Sequence, residues 1–286
     1  MRNHRSAYAN AEFIEQLDPV TDYLTIYQIS AFRDFARDTR DGLTLAFYRV
    51  FAIPHIAELL VKTGEMTRRP AKRSYDTGLV IYELIGAGFD SPRGRKMVKL
   101  LNRVHFGLGI SQESFRYVLC TFIVTPVRWI ESHGWRPLLD VEKEAATRFY
   151  RELGTLMNIQ LLPANFNEAA AYLDDYERRH VAESSAGRDL MAATLLVFRN
   201  RLPAAAKPLT AKLVSTYFGD RPLTAALGLP KPPTTMRYAV KVAYAVRNAI
   251  TRRRPAKTSS WFVPGSPTRD VYPDGYTLEE LGPHTS

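Results

Sequence analysis

A chain of 286 residues with 45% apolar content is long enough to bury a large core, and 39 Lys and Arg against 29 Asp and Glu give it a net charge of +10. Its single cysteine, Cys120, lies in the apolar run YVLCTFIV, which excludes a disulfide framework and a thiolate metal cluster. No run approaches the roughly 18 apolar residues of a membrane span.

The N-terminus, MRNHRSAYANAEFIEQLDP, has neither an apolar core nor a small-residue cleavage site, so the sequence predicts a cytoplasmic protein. Basic charge attracts nucleic acid, anionic membranes or acidic ligands. No zinc-finger spacing or RNA-recognition signature accompanies it, which argues against nucleic acid.

Periods of three and four without sustained alternation predict an all-α, single-domain bundle. A first helix is expected over Leu24–Arg37, and a second from Asp41 to Gly64, bent at Pro54. After the basic link MTRRPAKR, a third starts near Arg73 and puts Thr77, Ile81 and Leu84 on one face. Ser91 caps the next, with Pro92 in its first position. In that helix Met97, Leu101, Val104, His105 and Leu108 form an inward stripe while Arg95, Lys99 and Arg103 face away. Ser111 caps a helix that is apolar on all sides and is expected to kink or break at Pro126. LLDVEKEAATRFYRELGTLM and GRDLMAATLLVFRN read as further helices.

The expected organisation is an N-terminal segment 1–14, a helical domain 15–230, a basic amphipathic helix and linker 231–258, and an irregular C-terminal tail 259–286. Within the third piece, Thr235–Arg253 puts Arg237, Lys241, Asn248 and Arg252 on one side and Ala239, Val242, Val246 and Ala249 on the other. That pattern suits a docked surface helix or contact with an anionic membrane.

Several catalytic signatures are absent: no GxGxxG after a strand, no GxxxxGK[ST], no GxSxG and no HExxH. The six histidines, at 4, 55, 105, 133, 180 and 284, have no zinc spacing, and no ExxH pair offers a di-iron site. What remains is His105, one inward imidazole, which would suffice for a metal whose other ligands are not protein. Haem meets that condition, because the porphyrin supplies the equatorial nitrogens and the protein one axial imidazole. Periodicity leaves this open against a histidine that is simply packed in the core.

The stretch LTLAFYRVFAIPHIAELLVKTGEMTRRPAKRSYDTGLVIYELIGAGFDSPRGRKMVKLLNRVHFGLGISQESFRYVLCTFIVTPVRWIESHGWRPL resembles the MpaB-type oxygenase family, to which the latex-clearing rubber oxygenases are distant relatives. The similarity extends over roughly residues 15–200, and its most specific part is Arg73-x-x-x-Thr77 followed 28 positions later by His105 and then GISQESFRYVLCTF. The resemblance implies a b-type haem with His105 as proximal iron ligand, and Arg73 and Thr77 beside it in cofactor-binding and catalytic roles. It also implies dioxygen and an apolar, isoprenoid or lipid-like substrate whose carbon–carbon double bond is oxidised or cleaved.

Residues four apart share a helix face about 6 Å apart, so Arg73 and Thr77 reach one pocket. A planar guanidinium suits a haem propionate, and the hydroxyl suits a propionate or dioxygen. The plainer alternatives are a surface cation beside Lys72 and a hydroxyl bonded to its own backbone. Rubber oxygenases carry a lysine just before the threonine, where this chain has Asp76. That departure keeps two other readings open, a non-catalytic haem- or lipid-binding relative and a helical interaction protein without cofactor. The nearby acids Glu58 and Glu83 are both expected to be solvated helix residues.

Overall fold

A computed structural model describes residues 6–283; His4 and His284 lie outside the described residues. These residues form fourteen α-helices and no strand: α1 (Ala9–Ile14), α2 (Tyr23–Ile29), α3 (Ala36–Arg49), α4 (Pro54–Thr63), α5 (Glu65–Arg68), α6 (Pro70–Ala87), α7 (Pro92–His105), α8 (Gln112–His133), α9 (Asp140–Leu156), α10 (Phe166–His180), α11 (Ser185–Arg201), α12 (Thr210–Phe218), α13 (Arg221–Ala226) and α14 (Thr234–Thr251).

The centre is α8, buried along most of its length and packed against α3, α9 and α10. Of the kink or break that the sequence led us to expect at Pro126, the break does not occur: α8 is one continuous helix through it. Proline removes one helical hydrogen bond, and the surrounding helices hold the turn in place. The α3–α8 contact is so close that a Cβ on Gly42 would stand 2.4 Å from the Pro126 Cα.

The first expected helix is divided. After α2, a π-turn covers Ser30–Asp34, and Phe35 leaves the helical region with φ −116° before α3 begins. This offset aims Phe35 at the Trp135 ring and beneath the Arg136 guanidinium, 4.6 Å from its ring centre. Arg136 in turn joins Asp34 and Glu142, each at 2.7 Å, and all three side chains are buried. The second expected helix bends as anticipated, by 100° between Ala36–Ala52 and Pro54–Thr63, and Gly64 ends it with φ +72°. Ser91 and Ser111 accept from the backbone N–H groups of Gly94 and Ser114, capping α7 and α8.

The last residues follow an irregular path back across the bundle, yet Phe262, Tyr272, Tyr276, Leu278 and Leu281 are buried in the main core. Tyr276 donates to Glu83 at 2.6 Å, and Arg93 grips the same carboxylate. Glu83 is therefore fully buried, not solvated as its helical context suggested. Glu58 is exposed.

The faces of α14 also differ from the sequence reading. Asn248 donates to the carbonyls of His133 and Gly134, Arg252 to that of Trp135, and Arg247 to that of His133 while pairing with Asp38 at 2.9 Å. The C-terminus of α8 leaves carbonyls without helical partners, and α14 supplies their donors. Asn248 and Arg252 thus face the bundle, apart from exposed Arg237 and Lys241. The outward face carries Tyr238, Val242, Val246 and Ile250, which are 70%, 44%, 54% and 45% exposed.

Candidate functional site

Pro70 opens α6, and its first two turns carry Arg73 and Thr77 on one face. The Arg73 guanidinium donates to the Thr77 hydroxyl oxygen and lies 5.7 Å from the Phe47 ring centre. The Thr77 hydroxyl in turn donates a hydrogen bond to the Arg73 carbonyl at 2.9 Å. Among the described residues no carboxylate lies within ion-pairing distance of Arg73. Burial pulls its pKa below the ordinary arginine value, against the attraction of Asp76 and Glu65. A desolvated cation without an anion is costly unless a ligand supplies one.

His105 is the last residue of α7, half-buried, with its ring edge-on to Phe115 at 5.7 Å between centres. Its Nδ1 stands 2.7 Å from the Leu101 carbonyl oxygen, one turn back. A carbonyl only accepts, so Nδ1 carries the proton, and Nε2, which has no partner among the described residues, keeps its lone pair. Burial lowers the His105 pKa, the Leu101 carbonyl opposes this, and the Arg73 charge lowers it further. A neutral imidazole oriented through Nδ1 with Nε2 free is the state a metal requires. Helices α6 and α7 pack together, which brings the Arg73–Thr77 face and the end of α7 within electrostatic reach of one another.

Asp76 has no part in this face. It is 3% exposed and accepts from Lys72 at 2.6 Å, the Tyr272 hydroxyl at 2.6 Å and the Gly282 N–H at 3.1 Å. Its carboxylate ties the C-terminal segment to α6. Phe47, Phe115 and the Leu101 carbonyl are site groups that sequence reasoning missed. The carbonyl was available from the spacing of four before His105, whereas the two phenylalanines reach the site from α3 and α8 with no sequence signal.

The donor set fits a b-type haem: one neutral imidazole with a free Nε2, one unpaired guanidinium for a propionate, and aromatic neighbours. Among the described residues no group of three or more His, Cys, Asp or Glu is placed to hold a bare metal ion. A separate cavity of about 860 Å³ lies between α3, α6, α11, α12 and the C-terminal segment. Ser74, Gly78 and Tyr82 of α6 line it, and Arg73, Thr77 and His105 do not.

The family described as "ER-bound oxygenase mpaB/B'/Rubber oxygenase, catalytic domain" matches residues 42–249, a range that contains Arg73, Thr77 and His105. The chain is 26% identical to ER-bound oxygenase mpaB' of Penicillium brevicompactum, over 83% of this chain and 72% of that protein. It is 28% identical to ER-bound oxygenase mpaB of Penicillium roqueforti (strain FM164), over 62% of this chain and 65% of the relative, just under two thirds of the latter's length. It is 30% identical to ER-bound oxygenase mpaB of Penicillium brevicompactum, over 56% of this chain and 45% of the relative. The latex clearing protein LCP, solved in a closed state, superposes with a TM-score of 0.48 at 15% identity, covering 89% of this chain and 70% of that one. With a family match over most of its length, this chain belongs to the mpaB/B' and rubber oxygenase catalytic-domain family.

Proposed function

We propose that this chain is a haem b-dependent oxygenase that uses dioxygen to oxidise or cleave a carbon–carbon double bond in an apolar, isoprenoid or lipid-like substrate. The observation that carries this reading is the His105 imidazole, fixed through Nδ1 and free at Nε2, within the electrostatic reach of an arginine that has no carboxylate at ion-pairing distance. Family membership supports the oxygenase class.

When bound, the haem supplies the activation of dioxygen, chemistry that belongs to the cofactor. This chain's residues do the rest. His105 Nε2 holds the iron, and the Leu101 carbonyl sets the tautomer and plane of the ring. Arg73 meets a propionate, with its guanidinium held in place by the Thr77 hydroxyl. Phe47 lies under the Arg73 guanidinium and Phe115 packs edge-on to the His105 ring. Asp76, the departure that kept a non-catalytic role open, is engaged by Lys72, Tyr272 and Gly282 and anchors the C-terminal segment.

An apolar substrate partitions into bilayers, and α14 is built for their surface: an outward apolar face beside exposed Arg237, Lys241, Arg253 and Arg254. We place the enzyme on the cytoplasmic side of an anionic membrane as a peripheral protein. Among the described residues no single helix is long and apolar enough to cross one. Nucleic acid has no part in this reading.

The test is the optical spectrum. Protein produced with adequate haem supply should show a Soret band corresponding to one haem per chain. A colourless protein that also fails to take up added hemin would overturn the proposal.

A further inference from the structure

The cavity on the neighbouring face of α6 has the form of a second ligand site. Its volume of about 860 Å³ falls in the range of small-molecule pockets. Leu45, Leu79, Phe198, Val214, Trp261 and Phe262 give it long apolar walls.

Two charged clusters border it. Arg37 and Arg40 each stand 3.7 Å from Asp41, and their side chains are 65% and 52% exposed, so they border solvent. Neither guanidinium donates a hydrogen bond among the described residues. Tyr217 lines the same cavity, and burial together with the Asp41 charge raises its pKa. Two cations sharing one carboxylate leave one positive charge unmatched. At the other end Arg201 lies over the Tyr75 ring and is held by Asp270 at 3.2 Å, with Arg269 at 4.0 Å from the same carboxylate.

The floor is Gly78, in the middle of α6. Glycine weakens a helix interior relative to any ordinary residue, so its presence there asks for a reason. A Cβ at this position would meet nothing within 4 Å except a Tyr82 ring carbon at 3.7 Å. Packing therefore does not demand glycine, and a larger side chain would project into the cavity.

We propose that this cavity binds a long-chain carboxylate, with its apolar chain over Gly78 and its head group on Arg37 and Arg40. The lining arginines outnumber the carboxylates they share, and Arg37 and Arg40 donate no hydrogen bond whereas Arg201 donates to Asp270, so a carboxylate head matches the Arg37–Arg40 cluster and the apolar walls match the chain. No histidine, cysteine or methionine lines the cavity, so it is separate from the His105 site and does not rest on the haem proposal.

The experiment is calorimetric titration of the full chain with oleate and with oleyl alcohol, alongside melting curves of each variant. The parent should bind one oleate. Gly78→Leu should lose oleate binding at least tenfold without a fall in melting temperature, because leucine favours the helix while filling the cavity. Arg37→Gln/Arg40→Gln should weaken oleate about tenfold and leave oleyl alcohol unchanged. His105→Ala should bind oleate as the parent does. Absence of oleate binding by the parent, equal binding by Gly78→Leu, or loss in His105→Ala would overturn the proposal.

Discussion

Arg73 and Thr77 act as one unit, because the hydroxyl that accepts from the guanidinium donates a hydrogen bond to the Arg73 carbonyl. Thr77→Val keeps the volume and removes that acceptor. Its fold should stay within about 1 kcal/mol of the parent, while hemin dissociates faster; unchanged hemin dissociation would make Thr77 a purely structural residue. Arg73→Leu should separate stability from function more sharply. Removing a buried cation that has no carboxylate at ion-pairing distance should raise the haem-free protein's stability by on the order of 1 kcal/mol and weaken haem binding. Melting curves with and without hemin read both effects, and a lower melting temperature with unaltered hemin affinity would contradict the assignment. The spacing of Arg73, Thr77 and His105 was legible in the sequence, and so was the plainer reading of Thr77, a hydroxyl bonded back to its own backbone; the guanidinium that donates to it was not. The roles of Asp76 and Glu83 were not legible. Their tyrosine partners, Tyr272 and Tyr276, stand 196 and 193 residues further along the chain, beyond any local pattern.

Among the elements, α14 was readable as an amphipathic helix, but its orientation was not. Hydrophobicity predicts which side is apolar; here the unfilled carbonyls at the end of α8 decide which side docks. Arg237 and Lys241 remain free for lipid, whereas Arg252 is committed to Trp135. Each basic residue near an anionic surface contributes about 1 kcal/mol. Arg237→Ala/Lys241→Ala should thus lower vesicle binding roughly thirtyfold, a loss of about 2 kcal/mol, with the binding weakened further by salt. Vesicle co-sedimentation checks this, and equal pelleting of parent and variant would leave the helix without a membrane role. The dock itself should be pH-sensitive through His133, stacked 3.9 Å from Trp129. Burial lowers its pKa, the Trp129 carbonyl opposes this, and Arg247 lowers it again. The folded state then binds fewer protons than the unfolded one, so this stability is fully present above about pH 6.5 and is lost as the pH falls below it. His133→Gln should show a shallower loss of melting temperature between about pH 7 and 5 than the parent; parallel profiles would contradict this. The undivided α8 was illegible for a related reason, since Pro126 signals a break locally while the close approach of Gly42 holds the helix together.

At the scale of the molecule, the helical periods were enough to recognise an all-α bundle, and the capped starts of α7 and α8 placed the site's helices. The C-terminal segment has no period, because it packs through separate aromatic side chains and two buried carboxylates. Its attachment should be substantial: Asp76→Ala removes the acceptor shared by Lys72, the Tyr272 hydroxyl and the Gly282 N–H, leaving the first two only backbone carbonyls, and should cost roughly 1.5–3 kcal/mol, measured by denaturant unfolding. A cost below about 1 kcal/mol would show that the segment is held by its apolar contacts alone. Asp76 and Glu83 stand on α6, the helix that also carries Arg73 and Thr77, so one helix joins the closure of the fold to the proposed haem site. The central claim is that His105 holds the haem. Hemin titration of the parent and of His55→Ala, His105→Ala, His133→Ala and His180→Ala tests it most directly. The account predicts one hemin per chain with the same Soret band for the parent and for every folded variant except His105→Ala, which loses the band or binds hemin weakly; full stoichiometry and an unchanged spectrum in His105→Ala would contradict it.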